Sequence, residues 1–178
     1  AKFGLAEDFR DDGASGNDTL QENWAKPLVF DVEAGKLEGY LLDQQGRFDL
    51  NGLVGADGKR VDAAADQFER LLMLLPIERP LDSGTATALV EATIDWIDPD
   101  QSPLLNGAED DQYTSRQPPY RPANFWFTST SELLAIEGYT PEIYAALRPH
   151  VSALPPPPTN GERWKLNVNT ATDLVLAS

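Results

Sequence analysis

The chain has 178 residues, of which 41% are hydrophobic and 24% are charged, a composition typical of folded globular proteins. Its 29 acidic residues outnumber 14 basic ones, and the resulting formal net charge of −15 repels nucleic acid and anionic lipid. The absence of cysteine excludes disulfides, thiolate metal sites and a cysteine nucleophile. A single histidine, His150, leaves little scope for zinc chemistry or a Ser-His-Asp triad, and its position after a proline favours a surface or capping role. No apolar run approaches the roughly 20 residues that a membrane-spanning helix needs.

The N-terminal third predicts turns and strands. Residues 1–23 are polar and rich in turn-forming residues, which indicates loop or short helix. Between residues 27 and 50, short apolar runs are separated by glycine-containing breaks that suit hairpin turns. Two or three antiparallel strands are therefore predicted there.

Two helices are predicted next. Apolar residues at i, i+3, i+4 and i+7 indicate a helix over residues 63–75, with Asp62 as its N-cap. Ser83 is predicted to cap a second helix, which runs to about Ile97 and buries one apolar face. Pro99 ends this second helix.

Shorter elements are predicted after residue 128. Ser129 and Glu132 form a capping box for a short helix, and Thr140 with Pro141 begins another. The four prolines at 155–158 indicate a stiff, extended connector. The final segment predicts a short strand and then a helix capped by Thr170.

An acidic loop joins the second helix to a proline-aromatic segment. Between Asp95 and Tyr113 there are six acidic residues and no basic one. Like charges at this density repel one another, so a folded loop needs a bound cation or strong solvation. Calcium suits such a loop because it takes six to eight oxygen ligands in flexible geometry. The alternative is a solvated acidic surface loop.

The spacing of this loop is similar to that of an EF-hand. If Asp98 is position 1, the side-chain ligand positions 3, 5, 9 and 12 fall on Asp100, Ser102, Asn106 and Glu109. Pro103 occupies the position that should be glycine, and no helix is predicted after the loop. We therefore expect an irregular calcium loop rather than an EF-hand.

Asp95 lies one helical turn before Asp98, so its carboxylate could face the same ion. It could equally pair with an arginine such as Arg116 or Arg121. Both interpretations remain open from the sequence.

Enzymatic and nucleic-acid functions have weaker support. The acidic residues of the loop could be imagined as the acid/base pair of a glycoside hydrolase beside an aromatic platform, but aromatic residues flanked by prolines more often pack a loop against a core. Residues 131–151 have a helix–glycine–helix pattern found in some DNA-binding proteins. The net charge gives the electrostatic contribution to DNA binding the wrong sign.

Six segments, in this order, resemble one known family. They are GRFDLNGL (46–53), DWIDPDQSPLLNGAEDDQY (95–113), PPYRPANFWF (118–127), SELLAIEG (131–138), LRPHVSALP (147–155) and LNVNTA (166–171). Together they resemble general secretion pathway protein K, the large minor pseudopilin of the bacterial type II secretion system.

The resemblance implies an α+β fold, in which a pilin-like antiparallel strand segment carries a large inserted helical domain. The expected boundaries are 1–53 for the pilin-like part, 54–154 for the helical domain and 155–178 for the proline connector and the return to a further helical or pilin segment. The family begins with an apolar anchoring helix and continues into further strands beyond LNVNTA. This chain is therefore expected to be a soluble fragment.

The resemblance also implies a function. It predicts a non-enzymatic subunit at the periplasmic face of the inner membrane of a Gram-negative bacterium, located at the pseudopilus tip with the minor pseudopilins I and J. Binding of secreted substrate is the alternative. Family members bind calcium, and the resemblance transfers the ligands to Asp95, Asp98, Asp100, Glu109 and Asp110.

Overall fold

The computed structural model describes residues 18–156 and 164–178, so the predictions for residues 1–17 and for the second half of the proline run lie outside the described residues. The strands are β1 (Leu28–Val32), β2 (Gly35–Gly39), β3 (Phe48–Asp49) and β4 (Val151–Ser152). The α-helices are α1 (Asp62–Met73), α2 (Ser83–Ile97), α3 (Asp110–Thr114), α4 (Pro141–Leu147) and α5 (Asp173–Ala177). Four 3-10 turns cover Asn23–Ala25, Leu50–Leu53, Thr130–Ala135 and Arg148–His150. The predicted α+β class is confirmed.

The strands form two separate two-stranded sheets. β1 and β2 make the predicted antiparallel hairpin, in register from Leu28 opposite Gly39 to Val32 opposite Gly35. The prediction of two or three antiparallel strands is met by these two. The third strand of this region, β3, pairs in parallel with β4, about a hundred residues later in the chain. The reason is burial: Phe48 belongs to the helical core and stacks on Phe68 of α1, with ring centroids 5.1 Å apart.

The core is built around α1 and α2. The predicted apolar stripe of α1 is buried, and Phe68, Leu71 and Leu72 have no exposed surface. α2 differs from the prediction of one apolar face, because every residue from Leu89 to Ile97 is buried. The acidic loop covers the face of α2 that the sequence pattern assigned to solvent. No helix among the described residues is long and apolar enough to cross a membrane.

Two predicted N-caps are wrong by one residue. Asp62 is the first residue of α1, where it pairs with Arg60, and the N-cap position is Val61. α2 is capped by Asp82, whose carboxylate accepts a hydrogen bond of 2.8 Å from the backbone amide of Thr85. Ser83 is the first residue of this helix, and its hydroxyl donates to Glu69 at 2.8 Å instead.

For the shorter elements, the capping residues agree with the sequence prediction more closely than the type of secondary structure does. The Ser129–Glu132 capping box is present, although the element that it begins is a 3-10 turn. Thr140 caps α4 as predicted. At the C-terminus the predicted strand is absent from residues 164–169, and α5 begins after Thr172 rather than Thr170. Thr170 instead donates a hydrogen bond to Asp43, which holds it in a turn.

Asn51 links three distant segments. Its Nδ2 donates to the carbonyl oxygens of Phe127 (3.0 Å) and Leu154 (2.8 Å), and its Oδ1 accepts from the amide of Phe127 (2.7 Å). This one side chain therefore joins the 3-10 turn after β3, the proline-aromatic segment and the segment after β4.

We predict that Asn51→Ala lowers the free energy of unfolding by about 2–3 kcal/mol, because it removes three hydrogen bonds and leaves half-buried backbone groups unpaired. Urea denaturation of both proteins measures the change. Asn169→Ala, at an exposed position, is the matched control and should change stability by less than about 0.5 kcal/mol. Equal effects of the two substitutions would contradict the linking role of Asn51.

Candidate metal centre

Three carboxylates converge where the acidic loop begins and ends. Asp98 is the C-cap of α2, Asp100 follows it, and Glu109 is the N-cap of α3. One carboxylate oxygen from each lies within 4.8 Å of the others. Asp98 and Glu109 are only 7% and 6% exposed, whereas Asp100 is exposed. The loop thus encloses a small, oxygen-only cluster that opens to solvent on the Asp100 side.

The buried oxygens of this cluster lack partners. Asp98 Oδ1 and both carboxylate oxygens of Glu109 accept no hydrogen bond from any residue that the structure describes. None of the three side chains forms an ion pair with a lysine or arginine within the described ranges. A buried carboxylate without a partner is costly, and a hard cation with oxygen ligands removes that cost. The residues present therefore fit a calcium ion.

The pKa values of the carboxylates in the absence of an ion support the same conclusion. Burial raises the pKa of Asp98 from its ordinary 3.8 to about 6, and repulsion from Asp100 adds to this effect. Burial raises the pKa of Glu109 from 4.5 to about 8, with added repulsion from Asp98, Asp95 and Asp100. Burial also raises the pKa of Asp95 to about 7. Without a cation, protons would compete for these carboxylates near neutral pH.

The other two predicted ligands have different partners. Asp95 is fully buried, and its carboxylate accepts hydrogen bonds from the backbone amide of Leu104 at 3.1 and 3.3 Å. Asp110 accepts a hydrogen bond of 2.5 Å from Arg121. The structure brings together three of the five predicted residues, and a ligand role for Asp95 and Asp110 stays a prediction.

The alternative in which Asp95 pairs with an arginine is wrong. Arg121 pairs with Asp110, and Arg116 pairs with Glu137 while it donates to the hydroxyl of Tyr120. Both guanidinium groups are held by acceptors on or beyond α3, away from the buried end of α2.

The EF-hand spacing agrees with the structure for the three carboxylates, which converge, whereas the Asn106 side chain faces Glu91. Asn106 donates through its backbone and side-chain nitrogens to Glu91, at 2.7 and 3.0 Å. The backbone amide of Ser102 donates to Asp100, at 2.7 Å. The expectation that no helix follows the loop is wrong, because α3 begins directly after Glu109. Asp110 and Asp111 in its first turn complement the positive end of the helix dipole.

Three residues that support the loop are not among those predicted from the sequence. Glu91 accepts the hydrogen bonds from Asn106, and a Cβ at Gly107 would overlap the carboxylate of Asp95. Asn124 has a positive φ of 46° and donates to the carbonyl oxygen of Asp100 at 2.8 Å. Glu91 carried a usable signal, because a charged residue one turn before Asp95 interrupts an otherwise apolar helix. Asn124 contacts a backbone carbonyl group, and Gly107 is needed for a close approach to Asp95. Neither contact produces a recognisable pattern in the sequence.

Known proteins resemble this chain over nearly its whole length. The family model described as "Type II secretion system (T2SS), protein K" matches residues 46–156. Type II secretion system protein K of Aeromonas hydrophila is 37% identical over 176 residues, covering 93% of this chain and 50% of the relative. The protein of the same name from Pseudomonas aeruginosa is 39% identical over 180 residues, covering 98% and 50%. The chain thus spans about half the length of these curated relatives.

A solved structure shows the same fold. A chain in the crystal structure of the GspK–GspI–GspJ complex from the type 2 secretion system of enterotoxigenic Escherichia coli matches with a TM-score of 0.82 and 26% identity. The match covers 98% of this chain and 60% of that chain. The resemblance drawn from the sequence motifs is therefore confirmed, and this chain belongs to the type II secretion system protein K family.

Proposed function

We propose that the chain is part of a non-enzymatic minor pseudopilin, which assembles with the minor pseudopilins I and J at the tip of the type II secretion pseudopilus and supports protein export. Its place would be the periplasmic face of the inner membrane of a Gram-negative bacterium. The observation that carries this proposal is the close structural match to a chain of the GspK–GspI–GspJ complex. A large helical domain is too bulky to stack inside a fibre, which would restrict the subunit to the end.

The β1–β2 hairpin supports an assembly role. Val29, Phe30 and Leu37 are 55%, 51% and 60% exposed, and all of β2 is exposed. A two-stranded hairpin is marginally stable in water by itself, and its unpaired edges accept further strands. The hairpin therefore suits incorporation into a larger sheet or interface.

The carboxylate cluster does not suit hydrolysis. A glycosidase holds two carboxylates across a cleft that admits a sugar ring. Here the Asp98 and Glu109 side chains are buried and point, with Asp100, at one common position. This arrangement supports binding of a single cation, and it is the reason that we propose a structural rather than a catalytic role.

Calcium is the proposed ion, held by Asp98, Asp100 and Glu109, and the family resemblance adds Asp110. It would supply positive charge that balances the carboxylates at the two ends of the loop. Asp98 is the C-cap of α2 and Glu109 is the N-cap of α3, so their common attraction to the ion would hold the facing ends of these helices together. Flexible all-oxygen coordination favours calcium over magnesium, which demands near-ideal octahedral geometry.

Binding of secreted substrate is the second candidate. A cavity of about 880 Å³ lies between the turn after β3 and the proline-aromatic segment. Its rim includes Phe125, Trp126 and Trp164, which are all partly exposed. Concave sites lined by aromatic side chains are typical of ligand recognition. This is the surface at which a substrate-binding role would be sought.

We predict that Asp100→Asn and Glu109→Gln each weaken calcium binding at least tenfold, or about 1.4 kcal/mol, because each removes a charged ligand. Isothermal titration of the metal-free protein measures the affinity. Asp111→Asn is the matched control, since it removes one nearby charge, in the first turn of α3 and outside the cluster, and should change affinity less than about twofold. Absence of calcium binding by the unchanged protein would contradict the proposed site.

We predict that the metal-free protein loses stability as pH rises from about 4 to about 8. In this window the folded state keeps protons on Asp98 and Glu109, whose pKa values are raised, while the unfolded state releases them. The folded state then binds more protons, so the free energy of unfolding falls with rising pH. Calcium binds the deprotonated carboxylates, so the increase in Tm that it produces should grow over the same window.

Thermal unfolding at several pH values, with and without calcium, measures both trends. Glu109→Gln, which has one titrating carboxyl fewer, should show a weaker pH dependence in the metal-free state. Parallel curves for the metal-free and calcium-containing protein would contradict the prediction.

We predict that the full-length subunit that contains this chain co-purifies with minor pseudopilins I and J without any secreted protein present. Size-exclusion chromatography of the mixed proteins measures complex formation. Replacing Phe30 and Leu37 by serine should weaken the complex, because it removes exposed apolar area from the hairpin. The matched control replaces Phe125 and Trp126 on the cavity rim. Retention of a secreted protein by the subunit alone would favour the second candidate instead.

A further inference from the structure

We propose that Glu91 and Asp95 are positioning residues of the calcium site, which hold the backbone of the acidic loop so that Glu109 returns to Asp98, and that neither contacts the ion. This inference rests on the proposed calcium site and deepens it. It assigns the support of the site to two carboxylates of α2 that lie outside the three-carboxylate cluster.

Helix geometry places these carboxylates in one row. Glu91, Asp95 and Asp98 are spaced i, i+4 and i+7 along α2, so their side chains lie on the same face in successive turns. Only the last of them belongs to the cluster of three carboxylates. The loop turns back at its far end and runs over the same face, which is why every residue of α2 from Leu89 to Ile97 is buried.

Asp95 anchors the return of the loop. Its side chain is fully buried, and both of its oxygens lie within hydrogen-bond distance of the Leu104 amide. The nearby Ala108 amide also acts to lower the pKa of this carboxyl, against the effect of burial. Gly107 lies directly against it, where any Cβ would overlap the carboxylate oxygens. The backbone immediately before Glu109 is therefore fixed on the Asp95 side chain.

Glu91 anchors the middle of the loop. One of its oxygens accepts hydrogen bonds from the Asn106 amide at 2.7 Å and from the Asn106 side chain at 3.0 Å. Arg60 lies 3.9 Å from the other oxygen and supplies a counter-charge. Glu91 thus has partners for both oxygens, in contrast to Glu109, whose two oxygens have none among the described residues.

Fixing the loop in this way lowers the entropic cost of metal binding. Ordering loop residues costs conformational entropy, and the anchors at residues 104 and 106 meet that cost during folding rather than during ion binding. Groups that orient ligands without touching the metal typically contribute about 10–100-fold to metal affinity. The effect expected of each anchor lies in that range.

The first test compares deletion with conservative replacement. Glu91→Ala and Asp95→Ala should raise the calcium Kd about 10–100-fold, measured by titration of the purified protein. Glu91→Gln should stay within about threefold, because the amide oxygen still accepts from Asn106. Asp62→Ala is the matched control, since it removes the other acidic partner of Arg60 and should leave the Kd unchanged. An equal loss in Glu91→Gln and Glu91→Ala would show that charge matters rather than anchoring, and it would overturn the proposal.

The second test separates a positioning residue from a ligand. Europium(III) luminescence lifetimes in H₂O and D₂O count the water molecules on the bound ion. Asp95→Ala should weaken europium binding yet leave this count unchanged, whereas Asp98→Ala should raise it, because water replaces a lost ligand. A raised count in Asp95→Ala would show direct coordination and overturn the proposal. If Asp95→Ala does not fold, the Glu91→Ala and Glu91→Gln pair decides the outcome.

A third readout needs no metal. The backbone amides of Leu104 and Asn106 should exchange with deuterium faster in Asp95→Ala and Glu91→Ala, respectively, than in the unchanged metal-free protein. Unchanged exchange and unchanged affinity would overturn the positioning role while leaving the calcium site intact. Absence of calcium and europium binding by the unchanged protein would overturn the site itself, and the positioning role with it.

Discussion

Repulsion among buried carboxylates is the constraint on which this part of the fold depends. The loop between α2 and α3 brings Asp98 and Glu109 together in a place that water scarcely reaches, with Asp100 at its open side. Such a cluster opposes folding unless its charge is balanced by protons or by a cation. Because the same loop completes the burial of α2 from Leu89 to Ile97, the charge balance in the cluster affects the packing of this C-terminal part of the helix.

The acidic loop is also fastened to the remainder of the helical domain. On one side, Asn124 bonds to both the Asp100 and the Trp96 carbonyl oxygens, which ties the loop to the segment that presents the exposed Phe125 and Trp126. On the other side, the hydroxyl of Tyr113 in α3 accepts from the Glu137 amide. Arg116 lies over the Tyr113 ring and pairs with Glu137, so α3 is linked to the turn before α4. Ion binding at the loop would therefore stabilise contacts on both sides of the domain.

Prediction of structure from the sequence succeeded where the sequence signal is periodic or depends on residue type. The apolar stripe of α1 and the spacing of Asp98, Asp100 and Glu109 are such signals, and the structure places each group together. It failed where the partner is a backbone group or lies far along the chain. The parallel pairing of β3 with Val151–Ser152 involves two short strands with no alternating pattern, and the role of Gly107 depends on the path of another segment.

The physical role proposed for calcium follows from the difference between an anchored loop and a mobile one. In a switch, the ion drives a rearrangement, and it can do so only by binding one conformation more tightly than another. Here hydrogen bonds to Glu91 and Asp95 already fix the returning part of the loop, so little rearrangement remains for an ion to drive. The free energy of binding then adds directly to the stability of the folded state. A subunit that has to keep one shape within an assembly gains more from that stability than from a signal.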